Sequence, residues 1–207
     1  MTSVSIIGTG NMARGIATRA AAAGSEVQVL GRDTDRTTAL ATELGATAGT
    51  VGDALTGDIV VLAVPYAAAA PIVESYGDAL VGKVVVDITN PVDFATFAGL
   101  VTPADSSGAQ EIAKSAPAGT HVVKAFNTIF ASTLADGQVK GEPLDVLIAG
   151  DDADAKARLG DLVAKAGLRP LDAGPLERAH WLEGLGFVHM TIASGAGNFG
   201  TTVKIIG

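Results

Sequence analysis

The sequence predicts an α/β protein on a doubly wound parallel sheet, and three observations carry that expectation. Short β-branched runs alternate with longer Ala-rich stretches; the runs are apolar throughout; and glycine follows several of the Ala-rich stretches. Strands apolar on both faces and separated by helices are what a parallel sheet covered on both sides requires. Glycine just past a helix closes it in a left-handed conformation.

In chain order the predicted strands are Val4 to Ile7, Val27 to Leu30, Ile59 to Val64, Val84 to Ile88, His121 to Ala125, Asp145 to Ala149 and Leu168 to Asp172. Each is a short buried run bounded by breakers. The predicted helices are Asn11 to Ala23, Asp33 to Leu44, Ala67 to Tyr76, Gly108 to Ser115 and Asp152 to Ala166, with Gly24, Gly45 and Gly167 as C-caps. After Asp172 the pattern changes: Gly174-Pro175 breaks the chain, Leu176 to Ser194 reads as helical and Thr202 to Ile206 is a short apolar tail. Residues 1–172 therefore read as one sheet domain and 173–207 as a small helical appendage.

Composition excludes several functions. The 207 residues are 48% hydrophobic and 17% charged, an ordinary globular balance. A net charge of −8 without a basic stripe argues against nucleic acid. The absence of cysteine removes disulfides, thiolate metal sites, Cys nucleophiles and iron–sulfur clusters. No secretory leader pattern opens the chain, and Gly, Asp or Pro interrupts every apolar run before the ~20 residues a membrane helix needs. A cytoplasmic protein without membrane contact is expected.

The chemistry starts at Val4-Ser5-Ile6-Ile7-Gly8-Thr9-Gly10-Asn11-Met12-Ala13, a Gly-x-Gly-x-x-Ala that follows a predicted strand and opens a predicted helix. In the Rossmann, NAD(P)-binding reading Gly8 makes the tight turn, Gly10 lets the backbone approach a pyrophosphate, and Ala13 lets the helix pack on the strand. The helix N-terminus offers amides and a positive dipole to phosphate. Glycines that only shape a strand-to-helix turn are the plainer alternative. About 20 residues beyond Gly10, where NAD-selective folds carry an acid for the ribose hydroxyls, this chain has Gly31-Arg32, with Arg36 one helical turn on. A small residue leaves room for a 2′-phosphate and guanidinium groups can hold it, so NADP is expected rather than NAD. Asp33 and Asp35 either reach a ribose hydroxyl or serve as helix cap and first-turn acid.

Strand ends on one edge of such a sheet face the ligand crevice. Val64-Pro65 offers a flat apolar edge to a nicotinamide ring, and Asn90 can bond its ribose or carboxamide. Asn127-Thr128, after the strand that ends at Ala125, reads either as a further crevice pair or as a turn cap.

These residues resemble the NADPH-dependent coenzyme F420 reductase family, related to the reductase domain of the STEAP metalloreductases. The carriers are Ile7 to Ala13, Gly31-Arg32, Ala63-Val64-Pro65, Lys124-Ala125-Phe126-Asn127-Thr128 and, most specific, Leu168-Arg169-Pro170-Leu171-Asp172-Ala173-Gly174-Pro175-Leu176. The resemblance implies hydride passage between NADPH and C5 of a deazaflavin, coenzyme F420, with the two rings stacked in one cleft. It places Thr9, Arg32 and Arg36 at the 2′-phosphate, with Gly31 where a serine is common, which would weaken phosphate binding slightly. It places Val64, Asn90 and Ala125 on the nicotinamide side and the segment Asn198 to Thr202, Thr201 included, beside the deazaflavin.

The expected nucleotide set is thus Gly8, Thr9, Gly10, Asn11, Met12, Gly31, Arg32, Arg36, Val64, Pro65, Asn90, Ala125 and Asn127. No catalytic acid or base is named, because both coenzymes carry the reactive carbons and the protein orients them. His121, His180 and His189 lack ligand spacing, so no metal is expected. Two alternatives remain open: NADPH-dependent reduction of FMN, FAD or a flavin-linked metal, and a sensor that binds NADP without turnover. Pyrroline-5-carboxylate reductases and hydroxyacid dehydrogenases share the glycine turn but need a sizeable helical second domain. The apolar run Gly184 to Gly200 reads as a core helix or the interface of a homodimer.

Overall fold

The computed structural model describes residues 2–206. The glycine turn falls where expected: β1 (Ser3–Ile7) leads through it into α1 (Asn11–Ala22), followed by β2 (Glu26–Gly31) and α2 (Thr34–Leu44). A short strand β3 (Thr47–Thr50) comes next, then β4 (Ile59–Leu62), α3 (Tyr66–Tyr76), β5 (Val84–Asp87), α4 (Gly108–Lys114) and β6 (His121–Lys124). The chain continues through α5 (Ala131–Leu134), a small hairpin of β7 (Gln138–Val139) and β8 (Glu142–Pro143), β9 (Asp145–Gly150), α6 (Ala153–Lys165), β10 (Arg169–Gly174) and α7 (Ala179–Ala196). Gly45 closes α2 at φ 64°, as its C-cap role requires.

Eight strands form one sheet in the order β10-β9-β6-β5-β4-β1-β2-β3. The six from β3 to β6 are parallel throughout. Alternate side chains of these strands enter opposite cores. Val4, Ile6, Val29, Val61 and Val86 pack with Ile16, Ala17 and Leu40 of α1 and α2 and with Leu159 and Val163 of α6. Ile7, Leu30, Val60, Leu62 and Val85 pack with Ala69 and Val73 of α3 and Ala109 and Ile112 of α4. This is the doubly wound α/β architecture that the apolar runs predict.

The sheet departs from that expectation at its far edge. β9 runs antiparallel to β6 through only two residue pairs, Val123 with Gly150 and Lys124 with Ala149, and β10 runs parallel to β9. The cause is the connection: after β6 a one-turn helix and a hairpin return the chain from the edge it has just reached, and no crossover helix carries it back. β10 is an edge strand and only half-buried, which lets Pro170 sit in it without a lost ladder bond.

The last segment is docked. Leu182 and Leu185 of α7 pack on Leu147, Ala149 and Leu171 of β9 and β10. The tail ends on Asp145, whose carboxylate accepts the Ile205 amide at 2.8 Å and the Lys204 ammonium at 3.0 Å, beside Arg169 at 2.6 Å. Burial pushes the Asp145 carboxyl up, but Arg169, the Ile205 amide and Lys204 outweigh it and bring it down to about 2. No helix among the described residues is long and apolar enough to cross a membrane.

Candidate functional site

The parallel strands β1, β2, β4, β5 and β6 end on one edge, and the cleft lies there. Gly8 turns the chain at φ 129° with its amide on the Leu30 carbonyl at 2.8 Å, and a Cβ at this position would stand 2.1 Å from the Ala63 carbonyl oxygen. No other residue fits. Gly10 caps α1 with no side-chain bond, no acid follows in the first turn, and a Cβ there would meet nothing within 4 Å. The amides of this 12-residue helix therefore open onto free space, where an anion can approach the backbone. Ala13 is fully buried between α1 and the sheet.

At the end of β2, a Cβ on Gly31 would stand 2.1 Å from Thr37 Oγ1 and 2.7 Å from Thr9 Cγ2. Thr37 is fixed there because its hydroxyl donates to the Asp33 carbonyl at 2.6 Å. The structure thus gives a reason for the missing serine: Thr37 already occupies its space. The Asp33 carboxylate accepts the Arg36 amide at 3.1 Å, which makes Asp33 the cap of α2. Arg32 and Arg36 are exposed, and among the described residues neither guanidinium makes an ion pair. Two free guanidinium groups on one rim can hold a phosphate.

Gly8, Thr9, Gly10, Gly31, Arg32, Arg36, Val64 and Pro65 line one cavity of about 490 Å³. A second, of about 560 Å³, continues from it across Gly10, Ala63, Val64 and Pro65 and is walled by Asn11, Met12, Tyr66, Thr89, Asn90, Phe94, Val101 and Met190. Its walls are mostly apolar. Phe94 is 70% exposed although it lines the cavity, so a planar ligand seated there would cover it. Burial, and then the nearby carboxylates of Glu111, Glu183 and Asp87, raise the Tyr66 phenol above its ordinary value, so the ring stays neutral.

Three of the named residues line neither cavity. Ala125 is fully buried behind the edge. Asn127 braces a neighbour: its Nδ2 donates to Asn90 Oδ1 at 2.9 Å and to the Leu182 carbonyl at 2.8 Å, while Asn90 Nδ2 donates to the Asn127 carbonyl at 2.7 Å. Thr201 joins the tail to His189, whose Nε2 lies 2.9 Å from the Thr201 hydroxyl and whose Nδ1 lies 3.1 Å from the Thr128 carbonyl. A carbonyl accepts only, so Nδ1 carries a proton and donates it to Thr128.

Sequence reasoning missed Tyr66, Phe94 and a buried ionic group. Lys124, Asp87 and Glu183 are all fully buried, with the ammonium 2.7 Å from Asp87 Oδ2 and 2.8 Å from Glu183 Oε1. The available signal was a charge ending each of two valine-rich strands, in Val84-Val85-Val86-Asp87 and His121-Val122-Val123-Lys124. No group of three metal-ligating side chains occurs among the described residues.

A strand-end glycine turn, a free helix N-terminus and a two-part cleft across the sheet edge define a dinucleotide-fold oxidoreductase. The comparisons agree and narrow the class. Residues 3–91 match the family model described as NADP oxidoreductase, coenzyme F420-dependent. The F420-dependent NADP reductase of Methanothermobacter marburgensis is 33% identical over 195 residues, covering 85% of each chain. This chain belongs to that family. A crystal structure from Arthrobacter sp. FB24, provisionally named an F420-dependent NADP-reductase, superposes over 100% of both chains with a TM-score of 0.88 and 27% identity. The rat metalloreductase STEAP3 is 34% identical over 182 residues, which is 88% of this chain and 36% of that protein.

Proposed function

We propose that the protein is a cytoplasmic reductase that moves a hydride between NADPH and the deazaflavin coenzyme F420. One observation carries this reading: two cavities meet across the Gly10 and Ala63-Val64-Pro65 ridge, one rimmed by free arginines and the other apolar and open to a planar ring. In this reading Gly8, Thr9 and Gly10 hold the pyrophosphate, Arg32 and Arg36 hold the 2′-phosphate, and Val64 and Pro65 form the ridge where the two rings meet. Asn11, Met12 and Asn90 flank the nicotinamide, and Ala125 and Asn127 support it from behind. The coenzymes supply the hydride donor and acceptor carbons. The chain's residues bind, orient and exclude water, and no side chain transfers a proton at the hydride step. Residues 1–172 form the nucleotide domain in this account, and 173–207 close the acceptor side, with Thr201 fixing the tail through His189.

The test is NADPH oxidation with F420, FMN and FAD side by side, following acceptor bleaching with nicotinamide absorbance. Reduction of F420 alone supports the proposal. The likeness to a metalloreductase favours a second reading, flavin or flavin-linked metal reduction, which turnover with FMN or FAD would select. Binding without turnover would make the protein a sensor. We also propose a homodimer through α7, whose Trp181, Val188 and Ile192 share one face and are 66%, 53% and 63% exposed. Light scattering that finds only a 20.6 kDa particle would remove it.

A further inference from the structure

Every hydrogen of the Lys124 ammonium is used: it donates to Asp87 Oδ2, to Glu183 Oε1 and, at 2.5 Å, to the Thr89 carbonyl. The carboxylates are held from their other sides as well. Asp87 Oδ1 accepts the Thr89 amide at 2.8 Å, and Glu183 accepts the amides of Gly108 and Ala109 at 2.9 and 3.3 Å. Three fully buried charges are a poor source of stability, because desolvation offsets their attraction and apolar side chains of the same volume often serve as well. What such a group supplies is a fixed arrangement. Here it joins four segments: the ends of β5 and β6, the start of α4, and α7.

None of the three charged residues lines either of these two cavities, yet their neighbours do. Thr89 and Asn90 wall the second cavity from the end of β5, and Met190 walls it from α7, about two turns beyond Glu183. The fit beside the group is close. A Cβ on Gly186 would stand 2.7 Å from Asn90 Oδ1, and the Leu182 carbonyl is bonded by Asn127.

The geometry points to Lys124, Asp87 and Glu183 as positioning residues that lock α7 onto the strand ends and so set the gap between Met190 and the Thr89-Asn90 wall. This deepens the proposed function, and only its kinetic arm rests on that reading. The first cavity is built on the other side of the ridge, and none of its lining residues bonds to the three. The lock therefore acts on the second cavity, where the nicotinamide and the acceptor ring would meet, and leaves alone the first cavity, whose pyrophosphate and 2′-phosphate contacts would carry most of the NADPH affinity.

Glu183→Gln tests this, since it keeps the side-chain volume and leaves Lys124 and Asp87 as a neutral pair, while its Nε2 can no longer accept from Gly108, Ala109 or Lys124. Lys124→Met is the harsher companion. NADPH affinity, KM and kcat for F420, melting temperature and backbone amide exchange are measured on each. For Glu183→Gln the account expects NADPH affinity within about twofold, KM for F420 raised roughly fivefold or more, and amide exchange about tenfold faster in residues 88–92 and 182–192 but unchanged in β1 and β2. An unchanged KM with unchanged α7 exchange would overturn it. So would NADPH affinity, KM and exchange in every strand shifting together, as in a uniformly loosened fold. Failure of the wild-type protein to reduce F420 would remove the proposed function, while the exchange pattern would still decide the lock.

Discussion

Replacing Arg32 with alanine is the sharpest probe of the first cavity. Arg32 and Arg36 stand exposed at the start of α2, and the neighbouring acid Asp33 is engaged in capping that helix. A charge-assisted contact to phosphate is worth ~1.5–3 kcal/mol. Because this guanidinium is solvated the lower figure applies, and ~1.5 kcal/mol is about a tenfold change in affinity. Removing Arg36 as well costs less than the product of two such factors, since both groups address one phosphate a helical turn apart. The assay is steady-state KM for NADPH and NADH with one acceptor, repeated at low and high salt. The expected result is about tenfold weaker NADPH binding that narrows as salt screens the contact, with NADH nearly unchanged. Equal losses for the two nucleotides would refute the reasoning, because NADH has no 2′-phosphate to lose.

Other expectations follow from the same geometry. Gly31→Ser drives a Cβ into Thr37 Oγ1 and against Thr9 Cγ2, so it should lower the melting temperature and weaken NADPH binding, while adding Thr37→Ala restores both only in part because the Thr9 contact remains; thermal melts with NADPH titrations on the single and double variants check this. Phe94→Ala should raise KM for the acceptor by roughly tenfold, consistent with ~1.5 kcal/mol for an aromatic contact, and leave NADPH affinity unchanged; an unchanged acceptor KM would take Phe94 out of the site. The Asp145 carboxyl is held at about 2 in the fold against ~3.9 unfolded, so its contribution is present above about pH 4 and disappears as pH falls toward 2. Its upper bound is about 2 to 3 kcal/mol, reduced by the solvent exposure of Arg169. Amide exchange at Ile205 should accelerate over that window, and Asp145→Asn should reproduce the acid behaviour at neutral pH.

Much of the first cavity was legible because its demands are local. A turn that admits only glycine at Gly8, an uncapped helix start at Gly10 and a positively charged rim at Arg32 and Arg36 are each specified within a few residues. β3 was not legible: Thr47-Ala48-Gly49-Thr50 is short, mostly exposed and without hydrophobic pattern, and it is held by pairing with β2. The reversed direction of β9 was not legible either, since Asp145 to Ala149 reads the same whichever way it runs and the intervening hairpin decides. Thr37 shows the limit at the site itself. Its hydroxyl fixes the identity of residue 31 from six positions away, a contact visible only once α2 is folded against β2. The buried Lys124 group depends on three elements distant in sequence, and no local pattern announces such a meeting.

The central claim is direct transfer between two rings across the Val64-Pro65 ridge. The measurement that tests it most directly uses NADPH carrying deuterium on the transferable position of nicotinamide C4, with magnetic resonance analysis of the reduced F420. The label is expected at C5 of the deazaflavin without dilution by solvent hydrogen. Reduction with the label lost to water, or no reduction of F420 at all, would contradict it.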